Sequence, residues 1–233
     1  MIRTVLPLLR ASAIFPKQPA VNHEEHEVHE GSTEDFAHHR GVICAFTVVD
    51  PPMPLATKEA ATALLHQHVS NDYQRLHAVM VATAMEGYAL QLNEDPLLWY
   101  LTGLLHDIDF DEHPDTHPAP SLQWFKDWGY PEDLIHAVEA HAYGYHGFTT
   151  LPRTKLAAAL IACDEISGIF YAYRKMNPVR YGEMKAGSIK KKFKDPGFAA
   201  KIDRSTIQLG CDHLGVPLDD HIANLVRFLA VLP

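Results

Sequence analysis

From Thr57 to the C-terminus the pattern of apolar and polar positions is helical almost throughout. Thr57 can cap KEAATALLHQHV, and Asn71 or Asp72 can cap a longer helix reaching about Leu92. Asp95 and Pro96 open LLWYLTGLLHDI as cap and first-turn proline. SLQWFKDWG stops on Gly129. Pro131 then starts EDLIHAVEAHA, whose first turn carries acids. TKLAAALIACDEISGIFYAYR is long and apolar enough to be a central buried helix, and DRSTIQLGCDHLG and LDDHIANLVRFLAVL close the chain. Strands and helices do not alternate, so the expected fold is an all-α domain over residues 53–233.

Residues 1–52 read differently. MIRTVLPLLRASAIF is mildly apolar, but Pro7 and Arg10 interrupt it and no clear small-residue cleavage site follows. HEEHEVHEGSTEDFAHHR has the composition of a solvated, low-complexity tether. GVICAFTVVD is the one strand-like run, closed by Pro51 and Pro52. The segment is expected to be a poorly structured extension. A chain beginning at Met53 is expected to keep the helical domain.

Composition narrows the class. A chain of 233 residues with 47% hydrophobic content suits one domain of ordinary size. The formal charge of −9 argues against a phosphate-backbone binder, so nucleic acid is not the expected partner. No apolar run approaches the roughly 20 residues of a membrane span. Cys44, Cys163 and Cys211 are odd in number, far apart and without a CxxC pair, which fits a reduced cytoplasmic protein.

The chemistry lies in histidines and carboxylates on the apolar helices. His77 sits inside RLHAVMVATAM, and His106 and Asp107 end a helix that Leu101, Leu104 and Leu105 draw inward. His117, His141 and Asp164 follow. A single such residue is more often packed or on the surface than a ligand, and His136 is expected to be of that kind. Asp164 is different. A carboxylate among Leu160, Ile161, Ala162, Cys163 and Ile166 is costly to bury unless a metal or a fixed hydrogen-bond network compensates it. Adjacent helical residues point about 100° apart, so His106 and Asp107 can share an ion only off the helix end or between helices, as in helical-bundle metal sites. Imidazole with carboxylate suits Zn, Mn, Fe, Co or Ni better than Ca.

The order His77, His106-Asp107, Asp164 resembles the signature of the HD-domain superfamily of metal-dependent phosphohydrolases. LLHDIDFDEHPDTHP, HAVEAHAYGYHGFTTLP, KLAAALIACDEISGI and SIKKKFKDPGFAAKIDRSTI resemble, in the same order, stretches of a group of small bacterial HD proteins described as predicted hydrolases. The likeness covers roughly residues 55–232, and the ordered blocks are far more specific than a bare HD pair.

The resemblance implies an HD-type helical bundle and a ligand set. His77, His106, Asp107 and Asp164 would hold a first divalent transition metal (Mn, Co, Ni, Zn or Fe). His117 and His141 would hold a second, with Asp107 bridging the two; His113 competes with His117 for that place. Asp107 and Asp111 would be the catalytic carboxylates, Asp111 orienting a water or carrying a proton. The reaction implied is attack of metal-activated water on a phosphate ester of a small metabolite or nucleotide. Ten basic residues against three acidic ones lie between Arg174 and Arg204. Most would form a solvated face, but Lys190, Lys191 and Lys192 are candidates to meet the substrate phosphate. Two other classes stay open: an HD-fold di-iron oxygenase, and a non-catalytic nucleotide-binding HD module. Oligomeric state and substrate are not legible in the sequence.

Overall fold

Helix starts are set by side chains that accept hydrogen bonds from otherwise unpaired backbone N–H groups. In the computed structural model, which describes residues 55–233, Thr57 caps α1 (Lys58–His68) and Asn71 caps α2 (Asp72–Leu92). Asp95 caps α3 (Pro96–Leu105), with Pro96 in its first turn. α4 (Ala119–Asp127) and α5 (Glu132–His141) follow, the second entered through Pro131. Thr154 caps the long α6 (Lys155–Met176). α7 (Ala186–Lys194), α8 (Arg204–Leu214, capped by Asp203) and α9 (Leu218–Phe228) complete the order, with short 3-10 turns at Tyr181–Glu183 and Leu229–Val231. Gly215, at φ 74°, ends α8 in the left-handed region that glycine enters without strain. The described residues contain no strand, so the fold is all-α. The expectations for residues 1–52 lie outside them.

Two apolar clusters share α2. One joins Met80, Val81, Met85 and Tyr88 to α6, α8 and α9 through Leu160, Ile166, Phe170, Ile207 and Leu225. The other joins Ala78 and Ala82 to Leu64, Leu65, Leu104, Leu105, Phe125 and Val138. α6 is long and apolar enough to cross a membrane by length and composition, more than the sequence reading allowed. However, 67% of its most apolar stretch is buried within the protein, as for a core helix.

Small residues let the helices approach closely. A Cβ at Gly103 of α3 would lie 2.8 Å from the Cα of Ala82 on α2. A Cβ at Gly210 of α8 would lie 2.4 Å from the backbone N of Ala162 on α6. The first contact draws the end of α3, and so His106, onto α2 beside His77. The second braces α6 two residues before Asp164.

Candidate metal centre

The centre lies where four helices and a loop meet. α2 supplies His77, the C-terminal end of α3 supplies His106 and Asp107, the segment before α4 supplies His117, the last residue of α5 is His141, and the middle of α6 supplies Asp164. Donor atoms of His77, His106, Asp107 and Asp164 all lie within 4.8 Å of one another, and so do those of Asp107, His117 and His141.

In the first group His77 Nε2 is 3.1 Å from His106 Nε2, 3.1 Å from Asp164 Oδ1 and 3.4 Å from Asp107 Oδ2. His106 Nε2 is 3.4 Å from each of the same two oxygens. In the second group His117 Nε2 is 3.1 Å from His141 Nε2, and these two nitrogens lie 3.2 Å and 3.5 Å from Asp107 Oδ1. Asp107 therefore turns one oxygen to each group.

The far nitrogen of each ring is held by the protein. His106 Nδ1 donates to the Gly103 carbonyl (2.8 Å) and His141 Nδ1 to the Val138 carbonyl, each one turn back on its own helix. His117 Nδ1 donates to Asp109 Oδ1 (2.7 Å), and His77 Nδ1 is hydrogen-bonded to Ser167 Oγ (2.8 Å). Donation from Nδ1 leaves a bare lone pair on Nε2 of a neutral ring. In the second group two such lone pairs and a carboxylate oxygen face one another with no hydrogen between them, which is repulsive unless a cation lies among them.

Proton affinities reflect the same crowding. Burial alone would lower the His77 imidazole, but Asp107 and Asp164 outweigh it and hold the group up at about 9. His106 is likewise held well above its ordinary value against burial, chiefly by Asp107. Burial would raise the Asp107 and Asp164 carboxyls, yet His106 and the other nearby imidazoles keep both far below the usual carboxylate range. Without metal the first group holds its charge balance with protons on its imidazoles.

The donor set fits a metal. Ligands about 2.1 Å from one ion lie about 3.0 Å apart at right angles and about 3.4 Å apart at tetrahedral angles, the range of separations seen in both groups. Two carboxylates and four imidazoles, with ring orientation fixed from behind, are the chemistry of a divalent transition-metal site. Metal uptake should therefore displace protons from His77 and His106. Calorimetric titration with Mn near neutral pH, repeated in buffers of different ionisation enthalpy, should give different apparent heats. Identical heats would mean that no proton leaves.

The structure brings His77, His106, Asp107, His117, His141 and Asp164 together, with His117 in the centre; His113 is exposed and lies 4.0 Å from Glu112. His136 is instead tied to Arg153, whose backbone N–H it accepts at 3.1 Å. Asp111 is hydrogen-bonded to the loop before α2. Its Oδ2 accepts from the backbone N–H groups of Ser70 (2.8 Å) and Asn71 (2.9 Å) and from Ser70 Oγ, tying down the loop that leads into α2. The candidate phosphate lysines on α7 are also engaged elsewhere. Lys190 is ion-paired with Asp219, Lys192 sits 4.7 Å from the Phe198 ring, and Lys191 is exposed. Two of the three lysines thus contact α9 or the loop that follows α7.

Asp109 was not among the residues singled out from the sequence. It is 0% exposed, with Oδ1 on His117 and Oδ2 accepting the Ser121 backbone N–H at 3.1 Å. An acid one turn from an HD pair, ahead of a histidine eight residues on, was the available signal. Asp109→Ala should leave the first group intact and weaken metal binding at the second about 10–100-fold. Metal content after dialysis should fall from two ions toward one; full retention of both would remove Asp109 from the site. Ser167, Tyr73 and Glu165 were also missed. The Tyr73 ring is 6.3 Å from that of His77 and partly exposed. Its hydroxyl is raised by burial and by the Asp164 charge, so it stays protonated. Burial and Asp164 push Glu165 up to about 7.

Residues 76–169 match the HD domain family, a stretch that begins one residue before His77 and ends five after Asp164. Comparison with curated proteins and with solved structures returns no match. The stretch that matches the HD domain thus contains clustered histidines and aspartates able to chelate a metal, consistent with a metal-dependent hydrolase.

Proposed function

We propose that this HD-domain protein is a metal-dependent phosphohydrolase that cleaves a phosphate ester of a small metabolite or nucleotide with one or two divalent transition-metal ions. One observation carries the reading: the two oxygens of Asp107 face two separate sets of imidazole nitrogens, each ring fixed from behind. A pair of divalent ions supplies Lewis acidity at phosphoryl oxygens and lowers the pKa of water toward neutrality. His77, His106, Asp107 and Asp164 would hold one ion, and His117, His141 and the other oxygen of Asp107 the second.

The chain's own residues supply the rest. Nδ1 donation to Gly103, Val138 and Asp109 keeps the rings in the ligating tautomer and orientation, so little reorganisation is left for the reaction. Tyr73, protonated and next to His77, offers an O–H to an anionic oxygen at the open side of the centre. Glu165 can hold or release a proton near neutral pH within electrostatic reach of Asp164 and His77. Asp111, fixed to the Ser70–Asn71 backbone, positions the start of α2 and so His77. The buried free thiols Cys163 and Cys211 are raised by burial, Cys211 up to about 12, and so are unreactive. A reducing compartment such as the cytoplasm suits them.

The test is metal analysis of protein purified without chelator, followed by a panel of phosphomonoesters and nucleotides with Mn, Co, Ni, Zn or Fe added singly. Hydrolysis that requires one of these metals and disappears with chelator is the expected result. No hydrolysis with any metal, together with O₂ consumption by the ferrous protein and an organic substrate, would replace this reading with oxygenase chemistry.

A further inference from the structure

The side of α6 that carries Asp164 continues beyond the centre. At about 100° per residue, positions 168, 171 and 175 return to within about 40° of its direction, and at about 1.5 Å per residue Tyr171 and Lys175 lie roughly 10 Å and 16 Å further along. Contacts follow the same line. The Tyr73 ring that neighbours His77 lies 4.6 Å from the Tyr171 ring, and Lys175 Nζ is 5.8 Å from Tyr171. There the helix gives way to Pro178, Val179 and Arg180, and a cleft of about 360 Å³ opens between Tyr171, Arg174, Lys175, Arg180 and Tyr181.

The cleft has a definite chemistry. Three cations line it and no carboxylate does. Arg174 is stacked 4.8 Å from the Tyr181 ring, which fixes the guanidinium. Among the described residues no acid is ion-paired with Arg174, Lys175 or Arg180, although the chain carries a charge of −9. The C-terminal dipole of α6 favours Arg174 and Lys175. It does not account for Arg180 converging from the next segment, nor for the tyrosines leading back to His77.

We propose that this cleft is a distal anion subsite of the substrate. The ester phosphate would sit at the centre, a planar ring against Tyr73 and Tyr171, and a second anionic group, phosphate or carboxylate, among Arg174, Lys175 and Arg180. The inference rests on the phosphohydrolase reading and narrows its substrate class to elongated molecules with an anion at both ends.

Binding, not turnover, is the test. Non-hydrolysable phosphonates of two rod-like compounds serve as probes: a biphenyl with one phosphonate, and a biphenyl with a phosphonate at each end. Titration calorimetry on the metal-loaded full chain at low salt should show the doubly charged probe binding about fivefold tighter, the scale of one or two exposed charge pairs. Lys175→Glu and Arg180→Glu, at exposed positions, should each shrink that ratio toward one, and Lys175→Arg should restore it. A thermal transition matching the wild type shows that each variant is folded. Equal affinity of the wild type for both probes, or a ratio indifferent to both charge reversals, overturns the subsite whatever the protein hydrolyses. A ratio that responds as stated, in a protein that hydrolyses no ester with any metal, keeps the anion subsite and overturns the phosphohydrolase reading.

Discussion

Asp107→Ala should abolish metal-dependent hydrolysis and lower metal affinity in both donor groups at once, by more than the roughly 100-fold at the upper end for losing a supporting residue. The reason is its position. Oδ2 lies 3.4 Å from His77 and His106 Nε2, and Oδ1 lies 3.2 Å from His117 and 3.5 Å from His141. Removing Asp164 or His141 would disturb one group; removing Asp107 disturbs both. Asp107→Asn keeps size and shape but loses the charge and should fail in the same way. Metal content by mass spectrometry, activity, and the melting temperature of chelated protein should be measured together. Loss of metal and activity is the expected pattern, with a chelated protein that still melts cooperatively but at a lower temperature, because the buried imidazoles lose their charge partner. Retention of both by Asp107→Ala would place the chemistry elsewhere.

Gly210→Ala should lower stability by about 2 kcal/mol or more. Alanine gains about 1 kcal/mol over glycine in a helix interior, but here its Cβ would meet Ala162 N at 2.4 Å and Cα at 2.7 Å. Backbone atoms cannot rotate away, so α8 must shift off α6 at an overpacking cost of about 3 kcal/mol. The steric term wins. A domain of this size loses about 2–4 °C per kcal/mol, so the melting temperature should fall by roughly 4–8 °C. Gly187→Ala is the matched control. Nothing lies within 4 Å of a Cβ there, and the site is on a helix surface, so that change should raise the melting temperature slightly. If both substitutions stabilise, α6 and α8 are not in backbone contact at Gly210.

Much of this architecture was legible from the chain. Thr57, Asn71, Asp95 and Asp203 stand ahead of the helices they cap, and Gly129 and Gly215 stand beyond those they end, because capping is local chemistry. The polar residues of the centre were visible because His77, His106 and Asp164 interrupt apolar runs where no isolated charge would be stable. Their pairing was not legible. Which oxygen of Asp107 meets which imidazole depends on how α3 and α5 cross α2 and α6, and that depends on contacts such as Gly103 against Ala82. Asp109 and Asp111 show the same limit. Two residues apart on one short acidic stretch, one is fully buried behind His117 and the other is tied to the Ser70–Asn71 backbone. Nothing in their spacing distinguishes them. The charge of the lysine run on α7 is readable from the sequence, whereas the contacts of Lys190 with Asp219 and of Lys192 with Phe198 are not.

Anomalous diffraction from crystals soaked in Mn tests the central claim most directly. Two peaks are expected, one on each side of the Asp107 carboxylate, the first among His77, His106 and Asp164 and the second between His117 and His141. Both should vanish in Asp107→Ala. Peaks away from these six side chains, or none at saturating Mn, would contradict it.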